Sequence, residues 1–313
     1  MYIFLCVILY VKTKGVTIMS NEVLEQYAEA NRNRFLPAKA NDDITSVAVY
    51  GEDGSESVMI NGNAYPIMDA YFELSLVQPG ALRFNDKLKP EYVGKFWKKL
   101  SEEPSDEDIV DQLYLIPICV LNYSRSKFAK FDGNKTSTPL CRSRDGMYPE
   151  TGELTPDAPQ CAKLVNNRLV PLCPSAKKSP SGEKAQCTLT VNVAFLDIQE
   201  GIPLFMRMRG TGMQAFIDLD KNMARARNVA RIRHRSLDDY VVLLKGKHEG
   251  TYARLLASYV KAPEEFGDMS TYRTLAAYYR AKLFNRAPQE EEPIDVEEAT
   301  VIEEKADAET FDI

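Results

Sequence analysis

Four of the six cysteines, Cys141, Cys161, Cys173 and Cys187, fall in one stretch at the spacing Cys-x19-Cys-x11-Cys-x13-Cys. Four thiolates form the ligand set of a closed, tetrahedral structural zinc site, and such a site holds together a segment that cannot build its own core. The intervening chain fits that need. It is rich in turn formers and charges, as in Ser143-Arg144-Asp145-Gly146, Pro156-Asp157-Ala158-Pro159 and Ser179-Pro180-Ser181-Gly182, with short apolar pieces such as Leu169-Val170. A structural zinc held by all four cysteines is therefore expected. The tight Cys-x2-Cys knuckles of zinc ribbons are missing, so unpaired cysteines, some buried and some exposed, stand as the other reading, and His234 or His248 could replace one ligand. Cys119, inside Leu115-Ile116-Pro117-Ile118-Cys119-Val120, reads as a small buried hydrophobe.

A second chemistry lies in two strand-like runs that interleave aromatics with cations. In Asn122 to Phe131, an extended chain places Tyr123, Arg125, Lys127 and Phe131 on one face, with Lys130 beside them. Phe128 has the opposite parity to Phe131, so only one of the two belongs to that face. In Ile202 to Arg209, Phe205, Arg207 and Arg209 alternate with Leu204, Met206 and Met208. Stacking platforms among cations suit a single nucleic-acid strand, which exposes base faces and phosphates. The competing reading is a solvated hairpin whose aromatics pack inward. Arg144 and the loop lysines Lys177, Lys178 and Lys184 extend the cationic set. So do Arg225, Arg227, Arg231, Arg233, His234 and Arg235 at the end of a predicted helix. A helix C-terminus favours cations in any case, but this density also marks Arg231 and Arg233 as candidate anion contacts.

Enzyme signals are weak. Two histidines leave little for a His-based metal site, and His-Glu-x-x-His, Walker A and Gly-x-Ser-x-Gly patterns are absent from the chain. Gly210-Thr211-Gly212 reads as a turn, and Asp218 and Asp220 as a solvated helix face. A non-enzymatic protein is expected.

The elements that must position these residues are mostly strands. Thr45 to Tyr50 and Ser57 to Ile60 flank a Gly-rich loop as a hairpin, Asn61-Gly62-Asn63 marks another turn, and Ile67 to Val77 is an apolar run. Leu113 to Leu121 leads into the first aromatic-cationic run, and Thr188 to Asp197 is a strong strand. Tyr240 to Leu244 and Thr251 to Val260 form a final hairpin. Helices are predicted at Ser20 to Phe35, at Lys89 to Leu100 by the spacing of Tyr92, Val93, Phe96 and Leu100, from Gly212 to about Ala230, and over Met269 to Phe284. The fold class is mainly β (α+β): one body, residues 19–288, carrying a cysteine-rich zinc insertion over 139–187.

Charge is uneven. From Gln289 to Ile313 the chain carries eleven acidic residues and one lysine, a net charge of −10, whereas residues 19–288 come to +2 within a total of −6. The tail is expected to be disordered. At the other end, Tyr2 to Val11 is too short to span a bilayer, which takes about 20 residues, and it lacks the basic flank of a signal peptide. Codons for Lys14-Gly15-Val16 can hold a ribosome-binding site, so Met19 reads as the start and residues 1–18 as a translated leader. A cytoplasmic protein with reduced thiols is then expected.

Taken together, the cysteine insertion between Phe131 and Thr188, the strands around Tyr123–Phe131 and Phe205–Arg209, and the ending Glu309-Thr310-Phe311-Asp312-Ile313 resemble one family. It is that of the phage and plasmid single-stranded DNA-binding proteins, including the zinc-bearing helix-destabilising proteins of large tailed phages. The ligand set departs from theirs, which is three cysteines and a histidine at tighter spacing. The resemblance implies an OB-fold-like barrel and a bacterial host cell. It also implies an acidic tail that recruits replication or recombination proteins through Phe311, Asp312 and Ile313. The expected function is to coat and protect single-stranded DNA in replication or recombination, with strand annealing and homo-oligomerisation open. The alternatives are a zinc-stabilised, phage-encoded interaction or assembly module that binds no nucleic acid, and a metal-dependent nuclease.

Overall fold

The computed structural model describes Glu29 and residues 47–50, 55–68, 70–128, 139–149, 160–165, 168–177 and 185–285. In chain order these form β1 (Val47–Tyr50), β2 (Glu56–Ile60), β3 (Asn63–Pro66), β4 (Phe72–Leu76), β5 (Phe96–Lys99), β6 (Ile109–Val110), β7 (Gln112–Lys127), β8 (Cys141–Ser143), β9 (Ala162–Val165), β10 (Arg168–Pro171), β11 (Cys187–Asp197), β12 (Pro203–Arg209), α1 (Thr211–Arg233), β13 (Tyr240–Glu249), β14 (Tyr252–Lys261) and α2 (Met269–Asn285). The expected leader, residues 1–18, and the acidic tail, residues 289–313, lie outside the described residues.

The long strand β7 is the spine of a nine-stranded sheet in the order β14-β13-β7-β11-β12-β4-β5-β6, with β8 pairing β7 at its far end. Neighbours are antiparallel except β12 and β4, which run parallel. Two irregularities against β11 leave Ile118 and Leu121 without register partners. Each consumes one residue and bends the strand, and together they curl the sheet. Inward positions on β7 therefore fall at Leu113, Leu115, Val120 and Tyr123.

These residues join Val191, Val193 and Phe195 of β11, Leu204, Met206 and Met208 of β12, and Val242 and Leu244 of β13 in an inner core. Helix α1 closes it with Ala215, Phe216, Leu219 and Met223. Among the described residues the outer face is covered at one end only. There Ile116, Ile118, Cys119, Ala194, Leu196 and Val241 pack against α2 and against Val58 and Ile60 of the small sheet β1-β2-β3.

The two ends of the sheet meet at two places. The side-chain amide of Gln78 donates to the Ala253 carbonyl and accepts from the Ala253 N–H, both at 2.9 Å. At Gly246 the chain passes so close to Gly94 that an added Cβ would stand 1.8 Å from the Gly94 oxygen, which only glycine tolerates.

Two expectations are corrected. Lys89 to Leu100 is not a helix: Pro90–Tyr92 is a single 3-10 turn, Gly94 takes φ +86, and Phe96–Lys99 is strand. The proline start and the left-handed glycine stop the helical repeat that the apolar spacing suggested. The zinc-bearing OB-fold-like barrel is replaced by a curled half-barrel with two helices. Among the described residues no group of three or more His, Cys, Asp or Glu side chains is placed to hold a metal ion.

Candidate nucleic-acid interface

Strand registers determine which side chains share the half of the outer face that no described residue covers. Asn122 of β7 pairs Asn192 of β11, which pairs Arg207 of β12. One step along, Ser124, Thr190 and Arg209 form a second row. The third row is Thr188, Ser126 and, across β7, Arg142 of β8. The floor is thus small and polar, edged by Arg207 and Arg209 on one side and Arg142 on the other. From β8 to β12 is three strand spacings, about 14 Å. All three arginines are exposed, and the Asn192 amide donates to Asn122.

At the end of the floor, Phe205 pairs Glu73 of β4, which pairs Lys99 of β5. The Arg207 guanidinium lies 5.7 Å from the Phe205 ring centroid and 4.0 Å from the Glu73 carboxylate. Lys99 also reaches Glu73, at 3.1 Å. Exposed pairs of this kind hold weakly, so Arg207 remains able to exchange Glu73 for an external anion.

Tyr123, Arg125 and Lys127 do share a face, as strand alternation requires, but it is the inner one. Tyr123 is 8% exposed and meets Phe216 edge-on at 6.4 Å. Arg125 is 4% exposed, and its Nε donates to the Gly146 carbonyl at 3.0 Å. Lys127 is half-buried and donates to the Ser175 hydroxyl. None of the three is available to a strand on the open face. Phe128 is exposed beyond the end of β7; Lys130 and Phe131 lie outside the described residues. Arg144 is exposed in the loop after β8. Arg231 and Arg233 are exposed on the last turn of α1, which the left-handed His234 ends, and α1 packs into the inner core, away from the outer rows. Phe311, Asp312 and Ile313 lie outside the described residues. The signal that sequence reasoning missed is the opposite parity of β7, where Asn122, Ser124 and Ser126 form a floor of small side chains.

Among its described residues the cysteine segment offers no metal site. Cys141 and Cys187 pair Lys127 from its two sides, so a lysine stands between them in the row. Arg125 acts electrostatically on both Cys161 and Cys187. Among the described residues Cys141, Cys161, Cys173 and Cys187 form no metal-holding group, so the expected zinc cofactor is withdrawn. With it goes the resemblance to the zinc-bearing phage proteins. Burial, with the neighbouring Cys141, Cys187 and Cys173 adding to it, pushes the Cys161 thiol up to about 12. The staple is instead the Asp145 carboxylate, which accepts from Ser143, Met147 N–H and Tyr148 N–H. Met147, 2% exposed, drives the same loop into the inner core.

No helix among the described residues is long and apolar enough to cross a membrane. No family model, curated protein or solved structure matches the chain.

Proposed function

We propose that this protein is a non-catalytic single-stranded DNA-binding protein that coats the strand along the open half of its outer sheet face. The observation that carries the reading is the polar floor of Asn122, Ser124, Ser126, Thr188, Thr190 and Asn192 edged by Arg142, Arg207 and Arg209. Small side chains leave a shallow trough, and cations at both edges can pair a passing phosphate chain without reading sequence. A half-buried aromatic, Phe205, stands at the end of the trough, where a base turned toward the sheet would meet it. Among the described residues the face offers no projecting helix of the kind that enters a major groove, which favours a single strand over duplex. Binding of a labelled oligo-dT and of a duplex of equal length, each across a salt series, tests the reading. Tight, steeply salt-dependent binding of the single strand with weak duplex binding is expected. A log-log salt slope near zero refutes it.

A further inference from the structure

Beside Phe205 the outer face opens into a groove of about 700 Å³, lined by Tyr71, Phe72, Glu73, Trp97, Lys99 and Phe205, with Leu100, Ser101 and Glu102 at its mouth. It is a shallow cleft, open to solvent along much of its length. Three aromatic side chains, Tyr71, Trp97 and Phe205, come to it from the segment just before β4, from β5 and from β12, while Phe72 pairs Leu204 and packs against the inner core. The ammonium of Lys99 sits 5.2 Å from the Trp97 ring centroid. Around the aromatics stand a cation and two carboxylates, groups that hydrogen-bond the edge of a planar heterocycle rather than cover a hydrocarbon. A strand end or a loop of this chain does not fill the groove among the described residues.

Resting on the strand-coating role proposed above, we infer that this groove is a nucleobase pocket, taking one base of the strand that lies on the arginine-edged floor. Continuity identifies the occupant. Phe205 belongs to both places, and Arg207, in contact range of Phe205 and Glu73, marks where the sugar-phosphate chain leaves the floor and the base turns in. The base stacks on Phe205 and the neighbouring aromatics, and Lys99, Ser101 and Glu102 meet its polar edge. The carboxylates exclude a phosphate from the groove itself, so the phosphate remains on Arg207.

Trp97 is the chain's only tryptophan, so its emission comes from one site, at the wall of this groove. The experiment titrates the full-length protein with an end-labelled oligo-dT and with an abasic strand of equal phosphate count, following label anisotropy and tryptophan emission together. Expected is quenching of Trp97 by oligo-dT with the same midpoint as the anisotropy, and no quenching by the abasic strand. Phe205→Ala should weaken oligo-dT binding about five- to 150-fold, the factor carried by one stacked base, and abasic-strand binding by much less, through the loss of its contact with Arg207. A variant that merely misfolds would lose both. Anisotropy that rises while Trp97 emission stays constant, or equal losses on both strands in Phe205→Ala, overturns the base pocket and leaves the coating role standing. No anisotropy change with either strand overturns both.

Discussion

Replacing Arg142, Arg207 and Arg209 together by alanine removes the exposed cations that edge the outer floor. On a single strand each neutralised phosphate contributes about 0.7 to the slope of log affinity against log salt. Three full contacts would give about 2.1. Arg207 counts for less, because it must first release Glu73 at 4.0 Å, so a total between about 1.4 and 2.1 is expected. A slope of about 2 corresponds to a roughly sixteen-fold loss of affinity between about 50 and 200 mM salt. The assay is anisotropy of a labelled oligo-dT across that range, with the triple variant and each single variant. The triple variant should be shallower by the stated amount, and the single variants by about 0.7 or less, Arg207→Ala least. Folding is an internal control, since surface substitutions of this kind move stability by about 0.5 kcal/mol or less and the Arg207 side chain is 60% exposed. If the folded triple variant binds with the wild-type slope, the outer face is not the interface.

Other outcomes follow from buried groups. Tyr123→Ala should destabilise the chain by about 3 to 5 kcal/mol in urea denaturation, as for other large aromatics removed from a core. A folded Tyr123→Ala protein of wild-type stability that lost DNA binding would return Tyr123 to the interface. Lys98 is 1% exposed and bridges the fully buried Asp197, at 3.4 Å, and Glu200. Burial already pushes the Asp197 carboxyl above its usual range. Lys98→Met leaves that group without its cation and should cost about 3 to 5 kcal/mol; a loss below about 1 kcal/mol would show that Asp197 is held neutral without help. In native protein at about pH 8, alkylation should reach the half-buried Cys141 and Cys173 before Cys161, whose thiol stays protonated until the pH nears 12. Peptide mass spectrometry that finds Cys161 modified first would contradict this burial.

Strong alternation made the strands legible. Thr188–Asp197 and Ile202–Arg209 are strands almost to the residue, and the left-handed Asn61 and Gly62 make the turn expected between β2 and β3. The 3.6-residue stripe of Tyr272, Leu275, Ala276 and Tyr279 became α2. What local pattern could not give was which side of β7 looks inward. Its aromatic and cationic residues share a face whichever side is covered, and the covering elements, α1 and the Asp145 loop, come from distant parts of the chain. Tyr123 and Arg125 are therefore packing residues, while the plain sequence Asn122, Ser124, Ser126 lies on the open side. Trp97 was placed on a helix that does not exist, so its groove could not be anticipated. The cysteines suggested zinc because their segment looked unable to fold alone. One carboxylate, Asp145, and one buried methionine, Met147, supply that cohesion.

The Gln78 amide also bears on how copies of this protein behave toward one another. Strand β14 ends the nine-stranded sheet, and a terminal strand ordinarily presents unpaired N–H and C=O groups that another chain can adopt as a template. Gln78 satisfies both groups of Ala253 from within the same molecule, imitating with a side chain the two bonds a foreign strand would make. Gly246, pressed against Gly94, keeps that side of the sheet sterically closed as well. If the chain coats a strand as proposed, copies crowded along it would find the Ala253 end of this edge already closed to lateral β-pairing.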